Sequence, residues 1–239
     1  MRRFIQLNVD DVVPTVAEVL ENQGMAGRAR IPERISALLD SALELFRQLA
    51  EPQGVLEDLR KSDFAAVYNG DGLNSPQGPV LGIVSQADSL ALFAATLGNA
   101  LIVKSSELFA QGGPALGFML DAVNSSGAER LGKLMGHQFV EPWPEERSTK
   151  DYRVQYYSPG HCGWHISGQT KLFQVLHPEE IGITLNASWA MRPIKSISGI
   201  LVAGDLKIHR FRPDFSFCKE CKAHTCVQRL KVLESDYIY

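Results

Sequence analysis

The sequence has no excess of basic residues and no long apolar run, and these two absences limit what it can bind. Its 239 residues carry 24 Lys and Arg against 27 Asp and Glu, for a net charge of −3. The positive surface that attracts nucleic acid is therefore missing. No stretch approaches the roughly 18 consecutive apolar residues of a membrane helix. The N-terminus has two arginines but no long apolar core and no small-residue cleavage site, so we do not interpret it as a signal peptide. We expect a cytoplasmic globular protein without nucleic-acid or membrane partners.

Cysteine is also scarce, but its distribution is informative. Cys218, Cys221 and Cys226 fall within nine residues near the C-terminus, whereas Cys162 stands alone in the middle of the chain. In a cytosolic protein a C-x2-C-x4-C spacing favours a metal over a disulfide. Redox-active thiols are the other interpretation.

Three thiolates are one ligand short of a closed tetrahedral zinc site. The fourth ligand could come from a partner or from one of three residues of this chain: Cys162, His209 or His224. An iron–sulfur cluster completed by Cys162 fits the count equally well. The sequence leaves zinc and the iron–sulfur cluster as alternatives.

Hydrophobic patterning predicts a mixed fold. Apolar residues at helical spacing and capping signals predict helices over residues 10–23, 31–49, 100–110 and 114–135. Alternating or short apolar runs predict strands over residues 3–9, 64–69, 79–85, 90–97 and 208–212. The small residues at 125–127, inside the last helix, leave room for another backbone or a ligand.

The stretch from Tyr152 to Gly204 contains the most distinctive turn. Residues 158–164 read Ser-Pro-Gly-His-Cys-Gly-Trp, and a short amphipathic helix follows. Two glycines, a proline and a tryptophan in one turn expose backbone N–H groups beside an aromatic surface. That combination suits a ligand with one charged end and one flat end. Trp164 could flank such a ligand or cap the core.

Five segments in order resemble the activation domain of vitamin B12-dependent methionine synthase. They are Ala94–Gly98, Ala115–Val123 with Glu129 six residues later, Ser158–His161, Thr184–Met191 and Lys195–Gly199. The resemblance covers about residues 90 to 205. The chain looks like a stand-alone member of that superfamily with a three-cysteine segment added at its C-terminus.

The resemblance implies a helmet-like α+β fold, in which helices flank a twisted, mainly antiparallel sheet. We expect one domain over residues 1–205, with the helices of residues 10–50 packed on it, and a cysteine-containing extension over residues 206–239. The family also implies a site for S-adenosylmethionine and docking onto a corrinoid-binding partner. In its chemistry an inactive cobalt(II) corrinoid gains one electron and is trapped by methyl transfer, which demands positioning rather than a general base.

The resemblance carries over to a ligand site at six positions: Glu129, Tyr156, Ser158, Pro159, Gly160 and His161. The segment 158–161 matches the family's Ala-Pro-Gly-Tyr, whose backbone binds the ligand, and His161 in place of tyrosine keeps a smaller aromatic surface or supplies a metal ligand. Glu129 matches a glutamate at the ligand's cationic end, or else is a solvated helix residue. Residues 188–191 match a Ser-Phe-Ala-Met segment that we expect to be mostly structural.

Tyr156 departs from the family pattern. Three residues before Pro159 the family has an arginine that holds the ligand carboxylate, and a tyrosine hydroxyl supplies a hydrogen bond without the charge. Arg153 should face the opposite side of a regular strand. Either another cation such as Arg192 replaces the missing one, or the S-adenosylmethionine site is weakened.

Three functions therefore remain open. The first is a corrinoid-reactivation module that binds S-adenosylmethionine and works on a corrinoid-binding protein or corrinoid methyltransferase. The second is an iron–sulfur accessory or electron-transfer protein for such a methyltransferase, with a degenerate S-adenosylmethionine site. The third is a non-catalytic scaffold that binds the corrinoid partner. An electron-donor protein is a further expected partner.

Overall fold

A computed structural model describes residues 1–25, 31–141 and 151–210, and in these ranges the chain forms a five-stranded antiparallel sheet in the order β1-β2-β3-β7-β4. A separate two-stranded hairpin pairs β5 with β6. The strands are β1 (Arg2–Gln6), β2 (Gln53–Asp58), β3 (Ser89–Thr96), β4 (Tyr152–Tyr157), β5 (Thr184–Leu185), β6 (Met191–Arg192) and β7 (Ile197–Asp205).

Helices cover both faces of the large sheet. One face packs against α1 (Val9–Val12), α2 (Val16–Asn22), α3 (Glu33–Leu49), α6 (Ala100–Ala110) and α7 (Pro114–Val140). The other face packs against α4 (Lys61–Asn69), α5 (Val80–Gln86) and α8 (Gly168–Leu176). The predicted α+β class, with helices flanking an antiparallel sheet, is confirmed. None of the helices in the described ranges is long and apolar enough to cross a membrane.

The central strand β3 shows why the sheet needs two helical layers. Its apolar run is buried on both sides, with Phe93 facing the α7 layer and Leu92 facing the α8 layer. Burying a side chain of this size stabilises the fold by about 1.5–3 kcal/mol. A strand whose apolar residues point to both faces of the sheet can gain this on each face only if helices exclude water from both.

Helix α3 confirms the prediction made from its apolar stripe. Leu39, Ala42, Leu43 and Phe46 recur at helical spacing and are buried against α7. The Phe46 ring occupies the room left by Gly127, where an added Cβ would lie 2.6 Å from the ring. The small residue at 127 therefore accommodates a side chain of the core.

The helix predicted over residues 10–23 is in fact two helices. Val13 adopts an extended conformation (φ −59°, ψ 118°) because the residue before a proline avoids the helical region. After Pro14, Thr15 begins α2 with a capping box, in which its hydroxyl accepts from the Glu18 N–H while the Glu18 carboxylate accepts from the Thr15 N–H.

Two predicted strands, over residues 64–69 and 79–85, are wrong. Both segments are helical, as α4 and α5. In α4 the buried residues Phe64, Val67 and Tyr68 follow the spacing i, i+3, i+4, which is a helical face and not an alternating one. Short apolar runs of this kind do not distinguish the two structures by composition.

The two ends of the sheet also differ from expectation. Strand β2 was not predicted, and its residues pair with both β1 and β3. The strand predicted over residues 208–212 is wrong for its described part, because Leu206–His209 form a 3-10 turn begun by the Asp205 side chain. Helices α1–α3 pack on α7, while the proposed boundary at residue 205 stays a prediction.

Candidate functional site

A cavity of about 340 Å³ lies where the two helical layers meet at one end of the sheet. Its walls come from α7, the end of β4, the first turn of α8, the β5–β6 hairpin and the start of β7. Five of the six predicted ligand residues line it: Glu129, Tyr156, Ser158, Pro159 and His161. Cys162 lines it as well, whereas Gly160 is exposed and belongs to the turn behind the wall.

The turn of residues 158–164 is tightly closed on itself. Gly160 and Gly163 have positive φ angles of +93° and +75°, and Cys162 between them has +52°. Glycine tolerates that backbone region at no steric cost. The N–H groups of Gly160, His161 and Trp164 donate to carbonyl oxygens inside the turn. These three are therefore not available to a ligand, so the expectation that the turn exposes its N–H groups is wrong for them.

Trp164 belongs to the core. It is 1% exposed and packs edge-on against Phe64, with ring centroids 5.5 Å apart, and against Tyr68 at 5.6 Å. Burial raises the pKa of the Tyr68 hydroxyl, and the nearby Cys162 thiol adds to that rise. The core interpretation of Trp164 is confirmed, so the aromatic surface at the cavity comes from other residues.

The α7 wall carries the cavity's carboxylate. Glu129 accepts a hydrogen bond from the Asn22 amide at 3.3 Å. One turn further along, Gly132 lets the Tyr156 ring and Ile197 pack directly on the helix, where an added Cβ would lie 3.1 Å and 2.8 Å from them. The Tyr156 ring also meets Phe93 at 5.8 Å. Tyr156 is thus a packed part of the wall.

The α8 wall carries a buried polar pair. Gln169 and Ser198 are 3% and 1% exposed, and the Ser198 hydroxyl donates to Oε1 of Gln169 at 2.8 Å. Both line the cavity. Sequence reasoning missed Gln169, although it falls on the apolar stripe formed by Leu172, Phe173 and Leu176, where a glutamine is out of place.

The β5–β6 hairpin holds Trp189 at the cavity. Asn186 closes the hairpin, since its side-chain oxygen accepts from the N–H groups of Ser188 and Ala190 at 2.9 and 3.0 Å. Trp189 lines the cavity in a left-handed conformation, φ +59°, with its ring edge-on to His165 at 6.0 Å. The segment 188–191 is not mostly structural, contrary to the sequence-based expectation, because Trp189, Ala190 and Met191 line the cavity.

An ion pair fixes the loop that leads into β7. The Lys195 ammonium lies 3.0 Å from the Asp121 carboxylate and donates to the Ser125 hydroxyl at 2.9 Å. Next to it, the Ser196 hydroxyl donates to Thr96 at 3.0 Å. Because Ser196 lines the cavity, these contacts tie that wall to α7 and β3.

The cavity's charge is unbalanced. Among its described lining residues there is one carboxylate, Glu129, and no lysine or arginine. Arg192 is exposed and is not a lining residue. Arg153 lies on the β4 face opposite Tyr156, as predicted, and donates to the Tyr152 carbonyl at 3.0 Å. In the described ranges neither arginine supplies the cation that Tyr156 lacks.

The predicted metal ligands Cys218, Cys221, Cys226 and His224 lie outside the described residues. In the part of the chain that the structure describes, no group of three or more His, Cys, Asp or Glu side chains is placed to hold a metal. His209 is buried, and its Nδ1 lies 2.9 Å from the Tyr157 hydroxyl. Zinc and an iron–sulfur cluster therefore both stay predictions.

Comparisons with known proteins match this chain to one family by sequence and to a related solved structure by fold. The family described as "Vitamin B12 dependent methionine synthase, activation domain" matches residues 84–211, a range that includes every lining residue of the cavity. Thirteen chains of solved structures match, among them the crystal structure of the MetH reactivation domain bound to AdoHcy. That match has a TM-score of 0.63 and 14% identity, and covers 84% of this chain and 78% of the other. A comparison with curated proteins finds no match.

Proposed function

Because this chain belongs to the family of vitamin B12-dependent methionine synthase activation domains, we propose that it is a corrinoid-reactivation module. It binds S-adenosylmethionine in the cavity and presents the methyl group to a corrinoid held by a partner protein. The observation that carries the proposal is the convergence of Glu129, Tyr156, Ser158, Pro159 and His161 on that cavity. Glu129, on α7, is distant in sequence from the other four residues, which form one segment at the end of β4.

The size and chemistry of the cavity support a ligand of this class. Its volume of about 340 Å³ lies in the usual range for small-molecule sites, roughly 300–1,000 Å³. S-adenosylmethionine has a sulfonium and an ammonium at one end and a purine at the other. Glu129 suits the cationic end, because a carboxylate near two positive charges is favourable where water is partly excluded. The structural relative is described as bound to AdoHcy, the product of methyl transfer.

The reaction proposed for this site balances without a proton transfer. A separate electron-donor protein reduces the partner's corrinoid from cobalt(II) to cobalt(I). The cobalt(I) electron pair attacks the methyl carbon, the carbon–sulfur bond breaks, and its pair stays on sulfur. The products are a methylated corrinoid and S-adenosylhomocysteine. The work of this chain is to fix the methyl group in line with cobalt and to exclude water.

Direct binding is the first test. We expect isothermal titration with S-adenosylmethionine and with S-adenosylhomocysteine to show one site per chain. Glu129→Gln should weaken S-adenosylmethionine more than S-adenosylhomocysteine, because the first loses attraction to its sulfonium and its ammonium, whereas the second loses attraction to its ammonium alone. Glu44→Gln, a matched change on the exposed face of α3, serves as the control. Absence of binding of both ligands at millimolar concentration would sink the proposal.

The partner is tested separately. The purified chain should be retained by an immobilised corrinoid-binding protein, and a reductant plus S-adenosylmethionine should convert the cobalt(II) spectrum to that of the methylated form. Retention without methylation would instead support the scaffold function.

The cysteine spacing supports a second candidate, an iron–sulfur accessory protein for a corrinoid methyltransferase. If this candidate is right, the anaerobically purified protein shows the visible absorbance shoulder of an iron–sulfur cluster, which arises from thiolate-to-iron charge transfer. Elemental analysis then finds iron and sulfide. Stoichiometric zinc without iron would reject the electron-transfer version.

A further inference from the structure

The α8 end of the cavity has a polar group that the proposed reaction does not yet use. Gln169 is 3% exposed, lines the cavity, and uses its Oε1 to accept from Ser198 at 2.8 Å. That bond fixes the orientation of the amide, so its NH2 group remains as the donor that a ligand can use. Within the described chain, no other residue forms a hydrogen bond with this side chain. In the described part of the chain this nitrogen is not among the fully buried polar atoms without a partner, so it stays accessible from the cavity, where a ligand acceptor can bond it.

Trp189 lies on the same side of the cavity. Its ring contacts His165, three residues before α8, and His165 is itself fixed because its Nδ1 lies 2.9 Å from the Ser167 hydroxyl and its N–H donates to Asn74 at 2.8 Å. The left-handed backbone of a bulky residue is costly, about 1–3 kcal/mol, and persists only where the surroundings impose it. Here the Asn186 hydrogen bonds impose it, and the result is a preset aromatic wall.

The two ends of the cavity differ in charge. Glu129 stands on the α7 side, whereas Gln169, Ser198 and Trp189 are uncharged. A neutral donor next to an aromatic face suits a flat, neutral heterocycle with ring-nitrogen acceptors. It does not suit an ammonium, which has no acceptor to offer to an N–H group.

We propose that Gln169 and Trp189 form the purine subsite of this cavity: Gln169 Nε2 donates to a purine ring nitrogen and the Trp189 indole packs on the ring. This assignment rests on the proposed function, since it presumes an adenosyl ligand. It places the amino-acid end of the ligand toward Glu129. Ser198 is a positioning residue that keeps the NH2 group of Gln169 directed at the ligand.

The test uses two ligands that share only the purine nucleoside. S-adenosylhomocysteine carries an amino-acid end, and methylthioadenosine does not. Gln169→Glu keeps the shape and the bond to Ser198 but replaces the NH2 donor by oxygen. We expect it to weaken both ligands by the same factor, roughly tenfold, with Trp189→Ala also weakening both. Gln174→Glu, on the exposed side of the same helix, is the matched control. Thermal unfolding of each variant checks that Gln169→Glu is folded, and Gln169→Leu provides a second loss of the donor.

The outcomes separate the two proposals. Loss confined to S-adenosylhomocysteine would place Gln169 at the amino-acid end and overturn the assignment. So would unchanged affinity for both ligands in folded Gln169→Glu and Gln169→Leu, or a wild-type protein that binds S-adenosylhomocysteine but not methylthioadenosine. A wild-type protein that binds neither would instead remove the proposed function itself.

Discussion

Two glycines one turn apart on α7 allow the packing of the cavity wall to be tested quantitatively. At Gly136 an added Cβ would lie 3.4 Å from Val154 and 3.7 Å from Leu201, which is ordinary contact. At Gly132 it would lie 2.8 Å from Ile197 and 3.1 Å from the Tyr156 ring. Gly132→Ala and Gly136→Ala therefore add the same methyl group to the same helix, but only at position 132 does that group meet atoms closer than ordinary van der Waals contact.

Replacing glycine by alanine inside a helix stabilises it by about 1 kcal/mol. Nothing opposes this gain at position 136, so we expect Gly136→Ala to raise the free energy of unfolding by about that amount. At position 132 the new methyl group must push aside Cδ1 of Ile197, the end of a flexible side chain, and press on the packed Tyr156 ring, so we expect a cost at the low end of the overpacking range, about 1 kcal/mol. Gly132→Ala should therefore be less stable than Gly136→Ala by about 1 kcal/mol, because the helix-propensity term cancels in the comparison.

Urea unfolding followed by circular dichroism measures both free energies, and unchanged slopes confirm that the same surface is exposed in each variant. Titration with S-adenosylhomocysteine adds a second readout, since displacement of Tyr156 alters the cavity wall and should weaken binding in Gly132→Ala alone. Equal stabilisation by the two substitutions would refute the packing argument, because it would mean that α7 does not press on Tyr156 and Ile197.

Three further perturbations follow from single contacts. Lys195→Met removes the bonds to Asp121 and Ser125 but should lower the free energy of unfolding by less than about 1 kcal/mol, since the Asp121 carboxylate is half exposed. Amide hydrogen exchange should instead become faster over residues 194–198. Unchanged exchange would count against the loop's dependence on this ion pair. Thr15→Ala should destabilise the fold by about 1 kcal/mol in thermal melts near neutral pH. Burial alone would raise the pKa of Glu18, but its hydrogen bonds with Thr15 and the Arg130 charge lower it overall. The stabilisation that the carboxylate provides is therefore present at pH values above the ordinary Glu pKa and is lost as the pH falls through the lowered pKa. The difference in melting temperature between wild type and Thr15→Ala should shrink in that acidic range, and a pH-independent difference would contradict this. Tyr156→Arg should tighten S-adenosylmethionine but not methylthioadenosine in titrations, because only the first has a carboxylate, and a uniform change in both would contradict a charge effect.

The elements that sequence predicted well are those in which one physical signal dominates. Helix α3 has 17 residues and a sustained apolar stripe, and β3 has an apolar run that is too short for a buried helix. By contrast α4 and α5 have 9 and 7 residues. Over so few residues a helical face and a strand face contain nearly the same apolar residues, and only their packing against α8 and β7 distinguishes them.

The site was partly predictable for a different reason. Tyr156 and Ser158–His161 are close in sequence, so one local resemblance located them together. Gln169 and Ser198 are 29 residues apart, and their hydrogen bond depends on how α8 docks on β7. The one sequence feature that indicates this pair is a glutamine on the apolar stripe of α8. The pattern marks such a residue as unusual, but it does not say which partner satisfies it.

Tyr156 links the packing of the wall to the choice of ligand contact. Its ring fills the space between Phe93, Gly132 and Ile197, so the wall gains close packing where the family has a guanidinium. An arginine here would need the same room and would also need its charge balanced, for which the described lining residues offer Glu129 alone. With the carboxylate contact gone, the amino-acid end keeps only the attraction of its ammonium to Glu129, and more of the affinity for an adenosyl ligand has to come from its purine end. The preset Trp189 ring and the oriented Gln169 amide are the groups that can supply it, so methylthioadenosine should still bind wild type, and its deficit relative to S-adenosylhomocysteine should shrink in Glu129→Gln.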